Sequence, residues 1–302
     1  MLTKQCTRQA HAKINLLLDM TGRRSDGYHT ITGVMQSVSL ADTVTVTVEG
    51  STDGMPSINL TCTDPSLPAD QGNIAWRAAE AFLAATGCGC EHLSIHIDKH
   101  IPAAAGMAGG STDAAATLAA LNELFDYPLS EEALTAVGLG IGADVPFCLI
   151  GGTQLTEGVG EALTPLSPLP SCEILVACAG EGVSTPAAYR ALDERYGGFA
   201  EGTYAPHMET LSALVVALND GDSDGVCSHT FNLFESVILP NHPTARMIKE
   251  TMLTNGACVA MMSGSGPSVF GLFRDGDNAI MDAESALRNH GIPVWRCRPM
   301  TE

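Results

Sequence analysis

The chain of 302 residues is predicted to adopt an α+β fold in two domains. Its length allows two full hydrophobic cores. Strand and helix patterns come in runs, without an internal repeat and without the regular strand–helix alternation of a doubly wound sheet. A cluster of prolines, Pro165, Pro168 and Pro170, lies in an otherwise unpatterned stretch and favours a boundary there. We therefore predict an N-terminal domain at residues 1–164 and a C-terminal domain at 165–302.

Apolar periodicity predicts the elements of the first half in order. Threonine and valine alternate from Thr43 to Val48, which is typical of a half-exposed strand. Residues 138–152 have no regular pattern and are predicted to be irregular. The predicted strands are 7–18, 37–48 and 93–97, and the predicted helices are 73–86, 112–125 and one that follows Ser130.

The second half contains a second set of elements, and two of its strands are joined by the tight sequence SGSGPS. The predicted strands are 174–177, 257–262, 269–273 and 294–298, and the predicted helices are 187–195, 207–218, 243–255 and 277–290. Glycine and proline in the joining sequence predict a sharp loop between the second and third of these strands.

The charge balance restricts the partners of the chain. Its net charge is −19, with 15 basic and 34 acidic residues, which argues against nucleic acid or anionic lipid as a partner. No apolar span is long enough for a membrane helix, and the first residues lack a signal-peptide core. Ten cysteines without paired motif spacing indicate reduced thiols. We expect a cytoplasmic protein, and the sequence predicts no oligomeric state.

The most informative segment runs from residue 102 to residue 122, where a glycine-rich turn precedes a run of strong helix-forming residues. Gly106, Gly109 and Gly110 allow a sharp bend and a close approach of a ligand. Ser111 or Thr112 is expected to cap the following helix. A helix that begins this way directs free N–H groups at an anion, usually a phosphate. Taken alone, the segment also fits a helix N-terminus that merely closes a tight loop.

This glycine-rich loop is neither of the two common nucleotide motifs. A Walker A loop requires a Gly-Lys dipeptide, which occurs nowhere in the chain. A dinucleotide fingerprint would require glycine at positions 108 and 111, where Ala108 and Ser111 stand.

Lysine is scarce, and two of the four lysines lie in unusual places. Lys99 comes just before the glycine loop. Lys13 lies in an apolar, strand-like run, where it is costly without a partner. Because Asn15 is two residues further along, the two side chains share one face of the strand. The alternative is that Lys13 is an edge lysine whose ammonium reaches solvent.

Two further segments carry candidate chemistry. Tyr28 and His29 follow a turn and suit a planar ring ligand, although a buried hairpin tip is equally compatible with them. Asp144 stands in a largely apolar segment, where its charge must be matched. The alternative for Asp144 is an Asx-turn that stabilises the bend at Pro146.

Five segments occur in one order: AKINLLL, DGYH, IPAAAGMAGGSTDAA, GADVPF and MSGSGPSVF. In that order the chain resembles the GHMP kinase superfamily from residue 12 to residue 270. The combination of AKIN, DGYH and GADVPF resembles the member that phosphorylates a cytidine-diphosphate substrate in isoprenoid precursor synthesis. The resemblance implies the two-domain GHMP kinase fold, with the active site in the interdomain cleft. It also implies ATP and Mg²⁺ as cofactors and a small-molecule cytidine-diphosphate substrate.

The same resemblance assigns roles to residues. Lys13 and Asp144 match the lysine and aspartate that flank the acceptor hydroxyl, and Ser111 is the candidate ligand for Mg²⁺. The residues that match the ATP site are Asn73, Ile74, Lys99, Pro102, Ala103, Ala104, Ala105, Gly106, Met107, Ala108, Gly109, Gly110, Ser111 and Thr112. The residues that match the substrate site are Asn15, Tyr28, His29, Thr185, Tyr189, Gly264, Ser265 and Gly266.

Two departures from the family pattern stand out. Ala108 occupies a position where the family often has glycine, so it requires a negative φ or accepts some strain. Pro267 removes one N–H from the loop in MSGSGPSVF, the segment that matches the third motif of the family. Two other functions remain open at this stage: a GHMP kinase with a different acceptor, and a nucleotide-binding module that has lost catalysis.

Overall fold

The computed structural model describes residues 3–301 except 53, 55, 179, 181 and 201. The chain forms two compact units, each assembled from separate stretches. The first unit comprises Met1–Ala12, Ala41–Ile101 and Ala108–Ile150, and the second comprises Lys13–Leu40, Pro102–Met107 and Gly151–Glu302. The boundary at residues 164 and 165 stays a prediction.

Two long strands contribute residues to both units. They are β1, Thr3–Arg23, and β2, His29–Glu49. Along β2, Val44, Val46 and Val48 are buried while the threonines between them are half-buried. The predicted half-exposed strand is therefore confirmed, although both strands extend beyond the predicted ends.

The first unit packs its helices on a sheet. Its further strands are β3, Ser57–Cys62, and β4, His92–Asp98, and its helices are α1, Ile74–Thr86, α2, Gly109–Leu124, α3, Glu131–Leu139, and α4, Val145–Ile150. Strand β4 lies between β3, to which it is parallel, and β2, to which it is antiparallel. One core joins the valines of β2 to the apolar faces of α1 and α2, including Phe82 and Leu118.

The second unit contains an antiparallel sheet of four strands in the order β11, β7, β10, β9. The strands of this unit are β5, Thr153–Glu157, β6, Ala162–Pro165, β7, Cys172–Ala177, β8, Phe231–Asn232, β9, Val259–Met262, β10, Val269–Arg274, and β11, Val294–Cys297. The helices are α5, Thr185–Tyr196, α6, Met208–Asp220, α7, Ser223–His229, α8, Glu235–Ile238, α9, Pro243–Thr254, and α10, Ala279–Asn289. The sequence SGSGPS connects β9 to β10, as predicted, and α9 and α10 pack on the sheet through one apolar core.

Two predictions for the first unit are wrong. Helix α2 begins at Gly109, and its cap position is occupied by Ala108 in the left-handed region, at φ 59°, with no side-chain cap. Ser111 and Thr112 therefore lie inside the helix, and neither caps it. Helix α4 occupies part of the segment predicted to be irregular, because Pro146 lies in its first turn, where a missing N–H costs nothing.

None of the described helices combines the length and apolar composition needed to cross a bilayer. The cytoplasmic location and the absence of nucleic-acid and membrane partners stay predictions from the sequence.

Candidate active site

The first turn of α2 presents backbone donors without a side-chain cap. Gly109 and Gly110 begin the helix, and the Thr112 hydroxyl donates to the carbonyl of His11 at 2.8 Å rather than accepting from a free N–H of the helix end. The Ser111 hydroxyl has no hydrogen-bond partner among the described residues. Since no described side chain caps the N–H groups at this end of the helix, the turn is suited to an anion.

Lys99 lies at the centre of a buried charge network in the first unit. Its side chain is 6% exposed, and its ammonium donates to Asp42 and, at 2.8 Å, to Asp113. Asp42 also accepts from the backbone N–H of Ile101 at 2.8 Å and from that of His100. The network thus connects β2, the chain entering the glycine loop and helix α2.

The charges in this network are unequal in number, since two carboxylates share one ammonium. Burial raises the pKa of Asp113 to about 7, with Lys99 lowering it and Asp42 raising it. Burial lowers the pKa of Lys99, but the two carboxylates outweigh that effect and raise it overall. The second oxygen of Asp113, Oδ1, is buried without a hydrogen-bond partner. Asp113 therefore takes up a proton at a higher pH than an exposed aspartate does.

Three other predicted site residues of the first unit lie at the starts of helices: Asn73 and Ile74 at α1, and Asp144 before α4. Asn73 caps α1, because its Oδ1 accepts from the N–H of Ala75 at 3.0 Å and its Nδ2 donates to the carbonyl of Pro68. Ile74 opens the same helix and lies beside Gly110. Asp144 precedes α4, is half-buried, and its carboxylate has no partner in the described part of the chain. An unpaired carboxylate in a partly apolar setting is available for chemistry.

Lys13 and Asn15 lie on the buried face of β1 in the second unit, as the spacing predicted. Lys13 is 5% exposed, and its Nζ donates to Asn15 Oδ1 at 2.6 Å. No carboxylate of the described residues pairs with this ammonium. A Cβ added to Gly264 would lie 3.4 Å from the same Nζ, so the lysine reaches the loop between β9 and β10.

That loop also contacts the first part of the glycine-rich segment. The Ser263 hydroxyl donates to the carbonyl of Gly106 at 3.0 Å, and the N–H of Ser268 donates to the carbonyl of Ala105. Gly106 has φ 76°, and a Cβ there would lie 2.2 Å from the backbone carbonyl oxygen of Ser263, so no other residue fits. The structure therefore brings Pro102–Met107, Lys13 and the third motif together within the second unit.

Aromatic rings surround the predicted base-binding residues. The ring of His29 stacks on that of Tyr189 at 4.8 Å and meets the edge of Phe199 at 5.6 Å. Tyr28 is 66% exposed and has an open face. The hydroxyl groups of Thr185 and Ser265 are 3.0 Å apart and join this region to the third motif.

Comparison with known proteins identifies the family. The model of the GHMP kinases N-terminal domain matches residues 73–152, and that of the GHMP kinases C-terminal domain matches residues 211–292. Among curated relatives, 4-diphosphocytidyl-2-C-methyl-D-erythritol kinase of Caldicellulosiruptor bescii is 40% identical, over 91% of this chain and 92% of its own. The protein of the same name from Gloeobacter violaceus is 41% identical, over 96% and 93%. The chain belongs to the GHMP kinases.

Solved structures agree with this family assignment. A crystal structure of 4-(cytidine 5'-diphospho)-2C-methyl-D-erythritol kinase matches with a TM-score of 0.78 and 33% identity, covering 97% of this chain and 99% of that one. Homoserine kinase from Cytophaga hutchinsonii matches with a TM-score of 0.73 at 17% identity, covering 99% of this chain and 95% of that one, which shows the shared fold alone. As a GHMP kinase, the chain is a small-molecule phosphotransferase that uses ATP.

Sequence reasoning missed several residues that support this GHMP kinase site. Asn232 donates to the carbonyls of Met262 and Gly264, at 2.6 and 2.9 Å, and so holds the third-motif loop. Asp193 accepts from His29 at 2.7 Å. Asp193 could have been found, because it lies four residues after Tyr189 on a predicted helix and therefore on the same face. For Asn232 the sequence offers no comparable signal.

Proposed function

We propose that this GHMP kinase transfers the γ-phosphoryl group of ATP to the 2-hydroxyl group of 4-diphosphocytidyl-2-C-methyl-D-erythritol, a step of non-mevalonate isoprenoid precursor biosynthesis. The agreement with relatives of that name over nearly the whole chain carries the proposal. The geometry supports it through Lys13, a buried ammonium without a carboxylate partner among the described residues. Such a cation favours an anionic ligand, and the acceptor carries a diphosphate.

For ATP, we propose that the glycine-rich segment and the first turn of α2 bind the phosphates. Phosphoryl transfer needs positioning and charge neutralisation more than covalent help. The uncapped N–H groups at Gly109 and Gly110 supply fixed donors. In this proposal Asn73, Ile74 and Lys99 lie near the adenosine. Lys99 contributes mainly by holding the loop entrance, since its ammonium already pairs with Asp42 and Asp113.

For the acceptor, Asp144 takes the proton of the substrate hydroxyl, and Lys13 stabilises the charge that develops on the transferring group. The unpaired state of the Asp144 carboxylate among the described residues supports the first role. The cytidine base contacts Tyr28, whose exposed ring offers a flat face for stacking, together with Tyr189 and the edge of His29, whose rings stack on each other. Asn15, Thr185 and the loop Gly264–Gly266 complete the acceptor site.

Mg²⁺ fits the donors that the first unit offers. The Ser111 hydroxyl is an unpaired oxygen in the described structure, and Ser111 lies close to Gly142. No cluster of three or more described His, Cys, Asp or Glu side chains could hold a metal by itself. Mg²⁺ usually takes one or two protein ligands and binds phosphates with the rest. Bound there, it would neutralise phosphate charge.

The test is an ADP-release assay with purified protein, ATP and 4-diphosphocytidyl-2-C-methyl-D-erythritol, with and without Mg²⁺. We expect Mg²⁺-dependent turnover that falls about 10²- to 10⁴-fold in Asp144→Asn, the range for loss of a general base. Asp220→Asn is the matched control, because that carboxylate is exposed at the end of α6 and has no described partner.

Three results would count against the proposal in different ways. Turnover of homoserine or mevalonate in place of the cytidine substrate would assign a different acceptor. ATP binding without turnover of any acceptor would indicate a module that has lost catalysis. Near-normal turnover by Asp144→Asn would remove Asp144 from the role of base while leaving the reaction in place.

A further inference from the structure

The imidazole of His29 is fixed on several sides within the second unit. Its side chain is 7% exposed, and Nε2 lies 2.7 Å from Asp193 Oδ1. The ring stacks on Tyr189 and meets the edge of Phe199. The other carboxylate oxygen of Asp193 lies 3.4 Å from the guanidinium of Arg23. His29 therefore has one edge committed to Asp193, while Nδ1 has no hydrogen-bond partner among the described residues.

The Asp193 contact decides which ring nitrogen carries the hydrogen. An ionised carboxylate can only accept a hydrogen bond, so the hydrogen in this contact belongs to Nε2 of His29. Arg23 already supplies a cation to Asp193, so the imidazole has to supply only a hydrogen bond. In the neutral ring, a hydrogen on Nε2 leaves Nδ1 as an acceptor. The free edge of His29 is then an acceptor held in a fixed direction.

We propose that Asp193 is a positioning residue that holds His29 in the Nε2–H tautomer, so that Nδ1 accepts a hydrogen bond from the exocyclic amino group of cytosine. This inference rests on the proposed function. Cytosine carries an amino group where uracil carries a carbonyl oxygen. A uracil would set its oxygen against the Nδ1 lone pair and leave two acceptors without a donor. Asp193 thereby makes the site select a cytidine over a uridine diphosphate.

The kinetic test compares 4-diphosphocytidyl- and 4-diphosphouridyl-2-C-methyl-D-erythritol as acceptors. We expect wild type to prefer the cytidine form by at least about 100-fold in kcat/KM, because a site built to pair with a polar group rejects an analogue that lacks it. In Asp193→Ala this preference should fall below about tenfold, with a rise in KM for the cytidine form that exceeds the change in kcat. Asp193→Glu, which keeps the acceptor, should restore part of the preference.

Glu194→Ala is the matched control, since Glu194 is the next residue on α5 and is exposed. It should keep the wild-type preference. An unchanged preference in Asp193→Ala would overturn the proposal, as would an equal loss in Glu194→Ala.

A second readout needs no substrate. In protein labelled with ¹⁵N-histidine, long-range ¹⁵N–¹H spectra distinguish the Nε2–H tautomer from the Nδ1–H tautomer, and His29→Gln identifies the signals of His29. We expect the Nε2–H form in wild type and in Glu194→Ala, and a mixture in Asp193→Ala. An Nδ1–H form in wild type would overturn the assignment. If wild type phosphorylates neither acceptor, the proposed function and the base selection both fail, whereas the spectra still decide the role of Asp193 toward His29.

Discussion

Lys99 and Lys13 are both buried, but in the described part of the chain only Lys99 has carboxylate partners. Lys99 donates to Asp42 and Asp113, whereas Lys13 donates to the amide oxygen of Asn15. A buried ammonium is costly unless its charge is matched. The ammonium charge of Lys99 is therefore matched by carboxylates within the first unit. The ammonium charge of Lys13, in the second unit, has no carboxylate partner among the described residues.

The difference indicates that Lys99 stabilises the fold, whereas Lys13 is available to bind an anionic ligand. Around Lys99 two described carboxylates, those of Asp42 and Asp113, match the charge, and the network positions the entrance of the glycine loop. Around Lys13 the described residues supply one side-chain oxygen, and Gly264, where an added Cβ would lie 3.4 Å from the ammonium nitrogen, places no side chain beside it. An anionic substrate group would satisfy the donors that remain. The same substitution at the two positions should therefore have opposite consequences for stability and activity.

The largest effect on stability is expected for Lys99→Met. It leaves Asp42 and Asp113 buried without their cation, and breaking a buried ion pair by removing one partner costs about 3–5 kcal/mol. Urea unfolding at neutral pH measures the loss. A loss below about 1 kcal/mol, the range of an exposed ion pair, would show that Lys99 does not hold the fold.

Lys13→Met should reverse that pattern. We expect a free energy of unfolding within about 1 kcal/mol of wild type, because the variant loses one hydrogen bond but also removes an unmatched buried charge. Its kcat should fall about 10²- to 10³-fold, the cost of deleting one preorganised group that stabilises transition-state charge. The two assays are unfolding and ADP release on the same preparation. A variant that unfolds as easily as Lys99→Met would abolish the distinction between the two lysines.

The sequence could predict that both lysines were unusual but not which one was paired. Scarcity of lysine and the apolar run around Lys13 were visible in the chain. The partners of Lys99 were not, because Asp42 is 57 residues away from it and approaches only through the pairing of β2 with β4. Local patterns also predicted most long elements, including α1 and α9. Tertiary contacts of single polar residues, such as Asn232 with Gly264, have no local pattern to reveal them.

Two errors in the predicted elements have local causes. Helix α4 is only six residues long, from Val145 to Ile150, so it offers too little periodicity to be recognised. The cap of α2 was assigned to Ser111 or Thr112 because those residue types favour cap positions. The structure instead begins the helix after Ala108, a residue type that rarely adopts a positive φ.

Asp113 offers a smaller test of the Lys99 network, through pH. Burial raises its pKa to about 7, whereas in the unfolded chain an aspartate titrates near about 4. Between these values the folded state holds a proton that the unfolded state has released, so this carboxyl makes stability fall as pH rises from about 4 to about 7. Asp113→Asn lacks the titrating group. We expect the free energy of unfolding of wild type, relative to Asp113→Asn, to decrease across that window and to level off above it.

Urea unfolding of both proteins at several pH values measures this difference. Asp220→Asn is the control, since it removes an exposed carboxylate that has no described partner. A difference for Asp113→Asn that stays constant or rises with pH would mean that Lys99 holds Asp113 ionised throughout.

The smallest expected effect concerns Ala108, which joins the glycine loop to α2 at φ 59°. A left-handed conformation costs a residue with a Cβ about 1–2 kcal/mol, and Ala108→Gly removes that cost. Glycine also has more freedom in the unfolded chain, which returns about 0.4–1 kcal/mol. The free energy of unfolding of the variant should therefore equal or slightly exceed that of wild type.

The matched control for Ala108→Gly is Ala187→Gly, at an exposed position in the first turn of α5, where the same change should lower stability by up to about 1 kcal/mol. The quantity that matters is the difference between the two glycine variants, because the unfolded-state term is shared and cancels. A difference of about 1 kcal/mol in favour of position 108 would locate strain in the glycine loop itself. Equal losses of stability at both positions would mean that the positive φ of Ala108 has no conformational cost. The loop would then accept alanine without strain.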